Sequence, residues 1–344
     1  MEELKSVKDV GEFTVGENRT FHSATHEEIF QGATADLYFV RSRELLAYVK
    51  REHTGVSAEI FCTRPGVLAG VEEAVNLLKR KKVACWALPE GQTMKKKEVV
   101  MRIEGPYSEF GMYETALLGM LASASGWATA AKTCKEMAGD KPVYCFGARH
   151  LHPAVAPVME RAAIVGGAEN CSCILGAKLM GKEPIGTVPH AAVLIVGDTL
   201  ETALLYDQAM PPESPRIILV DTFKDEVEES LRVAEGLKAR LDGVRLDTPG
   251  ERGGVTPGLV REVRARLDQA GYSHVKIFVS GGITAERIAL LLDAGADAFG
   301  VGSYISGSRA IDMTMDIKAI DGKPVAKRGR IPGITENPRL VRYI

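Results

Sequence analysis

The sequence predicts an α/β protein in which an N-terminal α/β sandwich domain precedes an incomplete (β/α) barrel. Three observations carry that expectation. From Val143 onward, short apolar segments alternate with helical ones, the pattern of a parallel sheet wrapped by helices. Charged residues and glycines gather just after those apolar segments, where a βα barrel binds its ligands. Roughly six or seven such units can be counted, short of a closed eight. The expected division is an N-terminal domain over residues 1–115, the barrel over 116–312, and a tail over 313–344 that packs back on the first domain.

The elements justify themselves in order. Thr25-His-Glu-Glu28 is a capping box opening a short helix. Ser42 to Arg51 has helical character. Val67 to Lys82 repeats apolar residues at helical spacing and ends in Lys79-Arg80-Lys81-Lys82, cations suited to a helix C-terminus. Val99 to Ile103 reads as a strand stopped by Glu104-Gly105-Pro106. Tyr113 to Leu121 is helical, Ser125-Gly126 breaks it, and Ala128 to Met137 forms the next helix. Expected strands follow at Val143–Phe146, Cys171–Leu175, Ile217–Val220, Val244–Leu246, Val275–Val279 and Ala298–Gly300. Helices alternate with them at Ala156–Val165, Thr199–Gln208, Lys224–Leu241, Thr256–Ala270 and Thr284–Asp293. From Met313 the chain returns to short strands around a Gly322 turn.

Composition excludes several classes. The 344 residues are 45% hydrophobic and 26% charged, enough for about two cored domains and incompatible with wholesale disorder. With 43 basic and 45 acidic side chains the net charge is −2, which counts against a nucleic-acid binder built on phosphate neutralisation. Apolar runs such as Ala191 to Val196 are too short to span a bilayer. Met1 to Asp9 is charged with no hydrophobic signal region, so a cytoplasmic protein is expected. The cysteines at 62, 85, 134, 145, 171 and 173 hold no CxxC pair; free, mostly buried thiols are expected and no structural zinc.

The chemistry-bearing residues lie at the ends of the apolar segments. Ser280-Gly281-Gly282 and Gly300-Val-Gly302 each end a strand before a helix, where bare N–H groups and the helix dipole can cradle a phosphate. Tight strand-to-helix packing also asks for glycine. Asp221 and Asp247 end two further strands. Such carboxylates hold Mg²⁺, accept sugar hydroxyls or stabilise a developing cation, although one alone is as well explained as a helix cap. Arg149, in Gly147-Ala-Arg149-His150, can grip a carboxylate or phosphate bidentately. His190, ending Gly186-Thr187-Val-Pro-His190, suits phosphate contact, acid–base work or phosphoryl acceptance, or is simply a half-buried imidazole.

In this order the motifs resemble those of the type II phosphoribosyltransferases of NAD synthesis, the nicotinate and quinolinate enzymes. The likeness runs from about Thr34 to Arg328. Beside the motifs above it takes in Glu114-Thr-Ala-Leu-Leu118, Ser125-Gly-Trp-Ala-Thr129, Phe146-Gly-Ala-Arg-His150, Gly166-Gly-Ala-Glu-Asn170, Val220-Asp-Thr222 and Arg245-Leu-Asp-Thr248. It implies phosphoribosyl pyrophosphate in the barrel mouth and a homodimer or dimer-based oligomer whose N-terminal domain caps a neighbour's barrel. Ser280, Gly281, Gly282, Gly300 and Gly302 would then hold the 5-phosphate. Asp221 and Asp247 would meet the ribose hydroxyls, directly or through Mg²⁺. Arg149 with His150 would bind pyrophosphate or a carboxylate, and Thr187 and Thr248 complete the substrate contacts.

Three positions argue for the nicotinate branch. Where the quinolinate enzymes carry arginine or a His-Arg pair, this chain has Thr115, Cys171-Ser172 and Ala156. A dicarboxylate needs several cations to be desolvated favourably, and their loss favours the monocarboxylate. Gly186-Thr-Val-Pro-His190 looks like the nicotinate branch, where the histidine is phosphorylated by ATP. Asp36-Leu-Tyr38 resembles that branch's segment whose tyrosine packs on the pyridine ring. The expected reaction is nicotinate plus phosphoribosyl pyrophosphate giving nicotinate mononucleotide and pyrophosphate. Quinolinate phosphoribosyl transfer, another sugar-phosphate barrel enzyme and a non-catalytic ligand sensor are the alternatives.

Overall fold

The computed structural model describes residues 3–344, so the first two residues of the charged segment Met1 to Asp9 lie outside the described residues. Within this range the chain divides into two compact units, one of residues up to Thr129 together with Arg309–Ile344, the other Ala130–Ser308.

The first unit is built on an antiparallel sheet. Its centre, Gly55–Cys62, pairs with Met313–Ile320 on one side and Val99–Pro106 on the other. Lys323–Pro324, Ala84–Ala87 and Val341–Arg342 extend it to six strands. One face buries Ile60, Met101 and Ile103 against Ala74, Leu77 and Leu78 of the helix Val71–Leu78 and Leu117 and Leu121 of the helix Glu114–Ala138. Burial of this kind contributes roughly 1.5–3 kcal/mol per large aliphatic side chain. The basic run is absorbed into the packing: Arg80 lies over the Phe30 ring at 3.6 Å, and the Lys81 ammonium donates to the Tyr113 hydroxyl at 2.8 Å.

The capping box at Thr25 forms, with Thr25 Oγ accepting from Glu28 N–H and the Glu28 carboxylate returning to Thr25 N–H. Other boundaries move. The expected helix from Val67 begins at Val71, because Gly70 sits at φ +85 and a Cβ there would meet the Met120 carbonyl at 2.4 Å. The helix expected at Ser42 begins at Leu37. Ser125-Gly126 breaks nothing: one helix of 25 residues runs Glu114–Ala138. Gly126 is there for close approach, since a Cβ would lie 2.6 Å from the Arg309 carbonyl, while Ser125 Oγ accepts from Ala69 N–H at 3.1 Å. Residues 116–129 and 309–312 therefore belong to the first unit rather than to the barrel.

Glu114 opens that helix half-buried, and its carboxyl is pushed from 4.5 up to about 7, by burial first and then by the Asp316 carboxylate, with Lys327 pulling it back. The fold thus favours the neutral acid. That contribution is fully present below about pH 4.5 and is lost as pH rises through 7. Glu114→Gln is expected to gain stability relative to the parent steadily across this window; a difference in unfolding midpoint that stays flat from pH 4.5 to 8 would refute the assignment.

The second unit is an open parallel sheet of six strands, in the order Asn170–Cys171, Val143–Cys145, Ala298–Val301, Lys276–Val279, Gly243–Leu246, Ile217–Leu219. Its strands are almost wholly buried, as parallel strands covered by helices must be. Between the two edge strands the chain supplies the helices Ile174–Leu179, His190–Val196 and Thr199–Ala209 and no strand, so the barrel is incomplete. The strand expected over Cys171–Leu175 stops at Cys171, and the apolar residues after it form the first of these helices. A run as short as Cys173-Ile-Leu175 does not by itself distinguish strand from helix. Among the described residues no helix is long and apolar enough to cross a membrane.

Candidate active site

The C-terminal ends of the barrel strands surround a cavity of about 350 Å³, within the usual range of small-molecule sites. Two glycine turns form one wall. After Lys276–Val279 the chain passes through Ser280, then Gly281 at φ +81 and Gly282 at φ +60. Two successive positive-φ residues form a tight turn that suits glycine, with the N–H groups on one edge and the carbonyls on the other. Arg287 secures the other edge, donating from Nη1 to the Gly282 carbonyl at 2.7 Å and the Gly281 carbonyl at 3.2 Å, and from Nη2 to Val255 O at 2.7 Å. Among the described residues neither glycine N–H finds an acceptor. After Ala298–Val301, Gly302 is required by contact: a Cβ would lie 2.9 Å from His150 Cε1 and 3.0 Å from the Phe146 carbonyl. Gly300 likewise makes room for the Phe146 ring.

A hydrogen-bonded network crosses the floor. Arg245 donates to Ser280 Oγ and Thr187 Oγ1, each at 2.8 Å, and to Asp247 Oδ2 at 3.2 Å. Ser280 Oγ donates to Asp247 Oδ1 at 2.8 Å. The guanidinium also lies over the Phe146 ring at 5.4 Å. Phe146 in turn stacks on Phe278, and Phe278 on Tyr144, with centroid spacings of 5.8 and 5.4 Å. A cation held against an aromatic face is thereby presented to the cavity.

The remaining sequence candidates separate. Arg149 lines the cavity, exposed, and pairs with no carboxylate among the described residues. His150 also lines it, with Nδ1 3.0 Å from Ser306 Oγ. His190 Nε2 faces Asp221 Oδ2 at 3.0 Å; the Asp221 side chain is 1% exposed. Burial raises the Asp221 carboxyl above its ordinary value, and His190 opposes the rise. Its other oxygen, Oδ1, is buried without a hydrogen-bond partner. Thr248 is turned away, its hydroxyl donating to Glu226 Oε1 at 2.8 Å in the interior. Tyr38 stands exposed on the helix Leu37–Tyr48 of the other unit, its ring 4.2 Å from Phe39. Arg245, Phe146 and Ser303 also line the cavity, and so does Ser172; the first two enter the sequence reading only within motifs, Ser172 only for the cation it lacks, and none is assigned a contact with substrate there.

An open parallel barrel whose last two strands end in glycine turns has the layout in which such barrels commonly hold a phosphate. The chain belongs to the quinolinate phosphoribosyl transferase family: the family's N-terminal domain matches residues 36–125 and its C-terminal domain residues 127–316. It is 32% identical over 247 residues to a nicotinate phosphoribosyltransferase of Mycobacterium tuberculosis, covering 69% of this chain and 52% of that protein. It is 27% identical to the nicotinate-nucleotide pyrophosphorylase [carboxylating] of Rattus norvegicus, covering 78% of this chain and 84% of the relative. Among solved structures, that of a nicotinate-nucleotide pyrophosphorylase from Pyrococcus furiosus superposes with a TM-score of 0.88 at 46% identity, covering 92% of this chain and 82% of that one. The chain spans about half the length of the mycobacterial relative, 52%.

Proposed function

We propose that the chain transfers the phosphoribosyl group of phosphoribosyl pyrophosphate to nicotinate, giving nicotinate mononucleotide and pyrophosphate. The observation that supports this reading over others is Arg245 against Phe146 in the cavity floor. Of the two guanidiniums that line the cavity, Arg245 is the one against an aromatic ring, an arrangement that matches a flat heterocycle carrying a carboxylate. Pyrophosphate leaves C1 of the ribose with the bonding pair, and the pyridine nitrogen closes on C1; the sugar is cation-like between the two events, as in glycosyl transfer. The residues act by position and charge. Gly281, Gly282, Gly300 and Gly302, with Ser280, hold the 5-phosphate. Asp247 and Asp221 face the ribose and favour its positive charge. Arg149 and His150 take the pyrophosphate, and Thr187 steadies Arg245. Thr248, committed to Glu226, acts only through the fold.

The orphaned Asp221 Oδ1 fits Mg²⁺ held mainly by phosphate oxygens and water, since Mg²⁺ commonly takes one or two carboxylates from its protein. When bound, the ion neutralises charge on the departing pyrophosphate. With Nε2 on Asp221, Nδ1 is the His190 nitrogen left for a phosphoryl group from ATP. Protomers pair, as a homodimer or a dimer-based oligomer in the cytoplasm, so that Tyr38 of one packs on the pyridine ring held by the next.

Quinolinate is the second reading, favoured by the relatives whose names include nicotinate-nucleotide pyrophosphorylase. Pyrophosphate release from phosphoribosyl pyrophosphate and Mg²⁺ is to be measured with nicotinate, nicotinamide and quinolinate separately, each with and without ATP. Release with nicotinate alone, increased by ATP, is expected. Release with quinolinate overturns the substrate assignment, and none with any of the three overturns the reaction.

A further inference from the structure

We propose that Glu160, a residue that does not line the cavity, is the positioning residue that sets two of its loops to receive pyrophosphate. The proposal rests on the reading of the cavity as a phosphoribosyl pyrophosphate site. Glu160 lies on the helix Ala156–Val165 and is fully buried, 0% exposed. Its Oε1 accepts from Gly147 N–H at 3.1 Å, Ala148 N–H at 3.0 Å and Ser172 Oγ at 3.2 Å; its Oε2 accepts from Cys173 N–H at 2.6 Å. The first two donors begin the loop that carries Arg149 and His150. The last two form the loop after Asn170–Cys171, from which Ser172 lines the same cavity. That strand is the edge of the sheet, so no further strand holds its loop in place.

Among the described residues no lysine or arginine pairs with Glu160, and its charge is met by neutral donors, these four foremost. A buried carboxylate without a cation is costly, and an apolar side chain or a glutamine would fill the position more cheaply. Neither could do the same work. A carboxylate offers acceptor sites on both oxygens and no donor, so one group can clamp both loops in a single plane. A glutamine that keeps Oε1 on Gly147, Ala148 and the Ser172 hydroxyl must turn its amide nitrogen toward Cys173 N–H, donor against donor, and lose the backbone hold on the second loop.

The sign of the effect separates positioning from mere charge. A negative charge close to an anion site weakens anion binding, so neutralising it without moving the loops strengthens binding. The test is titration calorimetry of the purified full chain with inorganic pyrophosphate and Mg²⁺, comparing the parent with Glu160→Gln and Glu160→Asp. The aspartate keeps the charge but is one methylene too short to reach both loops. Both variants are expected to lose tenfold or more in pyrophosphate affinity. In steady-state assays their KM for phosphoribosyl pyrophosphate should rise by more than their kcat falls. Thermal unfolding is followed in parallel, and a lower unfolding midpoint with unchanged pyrophosphate affinity makes Glu160 structural and overturns the proposal. So does tighter binding by Glu160→Gln. A parent chain that binds no pyrophosphate overturns the site reading instead. If Glu160→Gln does not fold, Glu160→Asp carries the comparison.

Discussion

Asp247→Asn is expected to lower kcat a hundredfold or more while the chain stays folded. Removing one preorganised electrostatic group from a transition state commonly costs about 10²–10³ in turnover. Asp247 is held on both oxygens, by Ser280 Oγ at 2.8 Å and Arg245 Nη2 at 3.2 Å, so its charge is aimed without rearrangement. Asparagine is nearly the same size. Its carbonyl can keep Arg245, and its amide can donate to the Ser280 hydroxyl, which is able to reverse its role. The packing survives, and the charge that favours the cation-like sugar does not. Steady-state kinetics together with an unfolding midpoint check this. Turnover within a few-fold of the parent would remove Asp247 from the catalytic group.

Arg245→Gln is expected to raise KM for nicotinate by about tenfold to a hundredfold, with a smaller change in KM for phosphoribosyl pyrophosphate. Hydrogen bonds to charged groups contribute about 1.5–3 kcal/mol, which corresponds to that range. The guanidinium is pre-set by three donor contacts, to Ser280, Thr187 and Asp247, so little side-chain entropy is lost when a carboxylate arrives. Glutamine keeps a polar partner for the two hydroxyls, which guards against collapse of the floor. The two Michaelis constants must be measured separately. A rise confined to phosphoribosyl pyrophosphate would move Arg245 to the phosphate side and leave the carboxylate to Arg149.

The glycine turns were readable in the sequence because their backbone demands them. Gly281 and Gly282 adopt positive φ, and nothing but glycine fits between Phe146 and His150 at Gly302. The strand-end carboxylates were readable by position, but their surroundings were not. Asp221 is paired with a histidine 31 residues earlier, and Thr248 spends its hydroxyl on Glu226 rather than on a ligand. Arg245 was readable within its motif but not in its role, because a single cation within a short strand looks like its solvent-facing side; its contact with Phe146 joins residues 99 positions apart. The supposed break at Ser125-Gly126 failed for a related reason. What the glycine accommodates is the Arg309 carbonyl, far along the chain, and no local rule sees it.

The antiparallel partnership of Gly55–Cys62 with Met313–Ile320 also sets an order of events during synthesis. Val56 waits for Ile320. By the time that partner leaves the ribosome, all of Ala130–Ser308 is already outside and free to fold. The barrel unit is therefore an insert within the first unit, whose sheet stays incomplete until Met313–Ile320 is made. A chain ending at residue 312 would leave Gly55–Cys62 with one edge bare, the kind of edge that invites pairing with another chain.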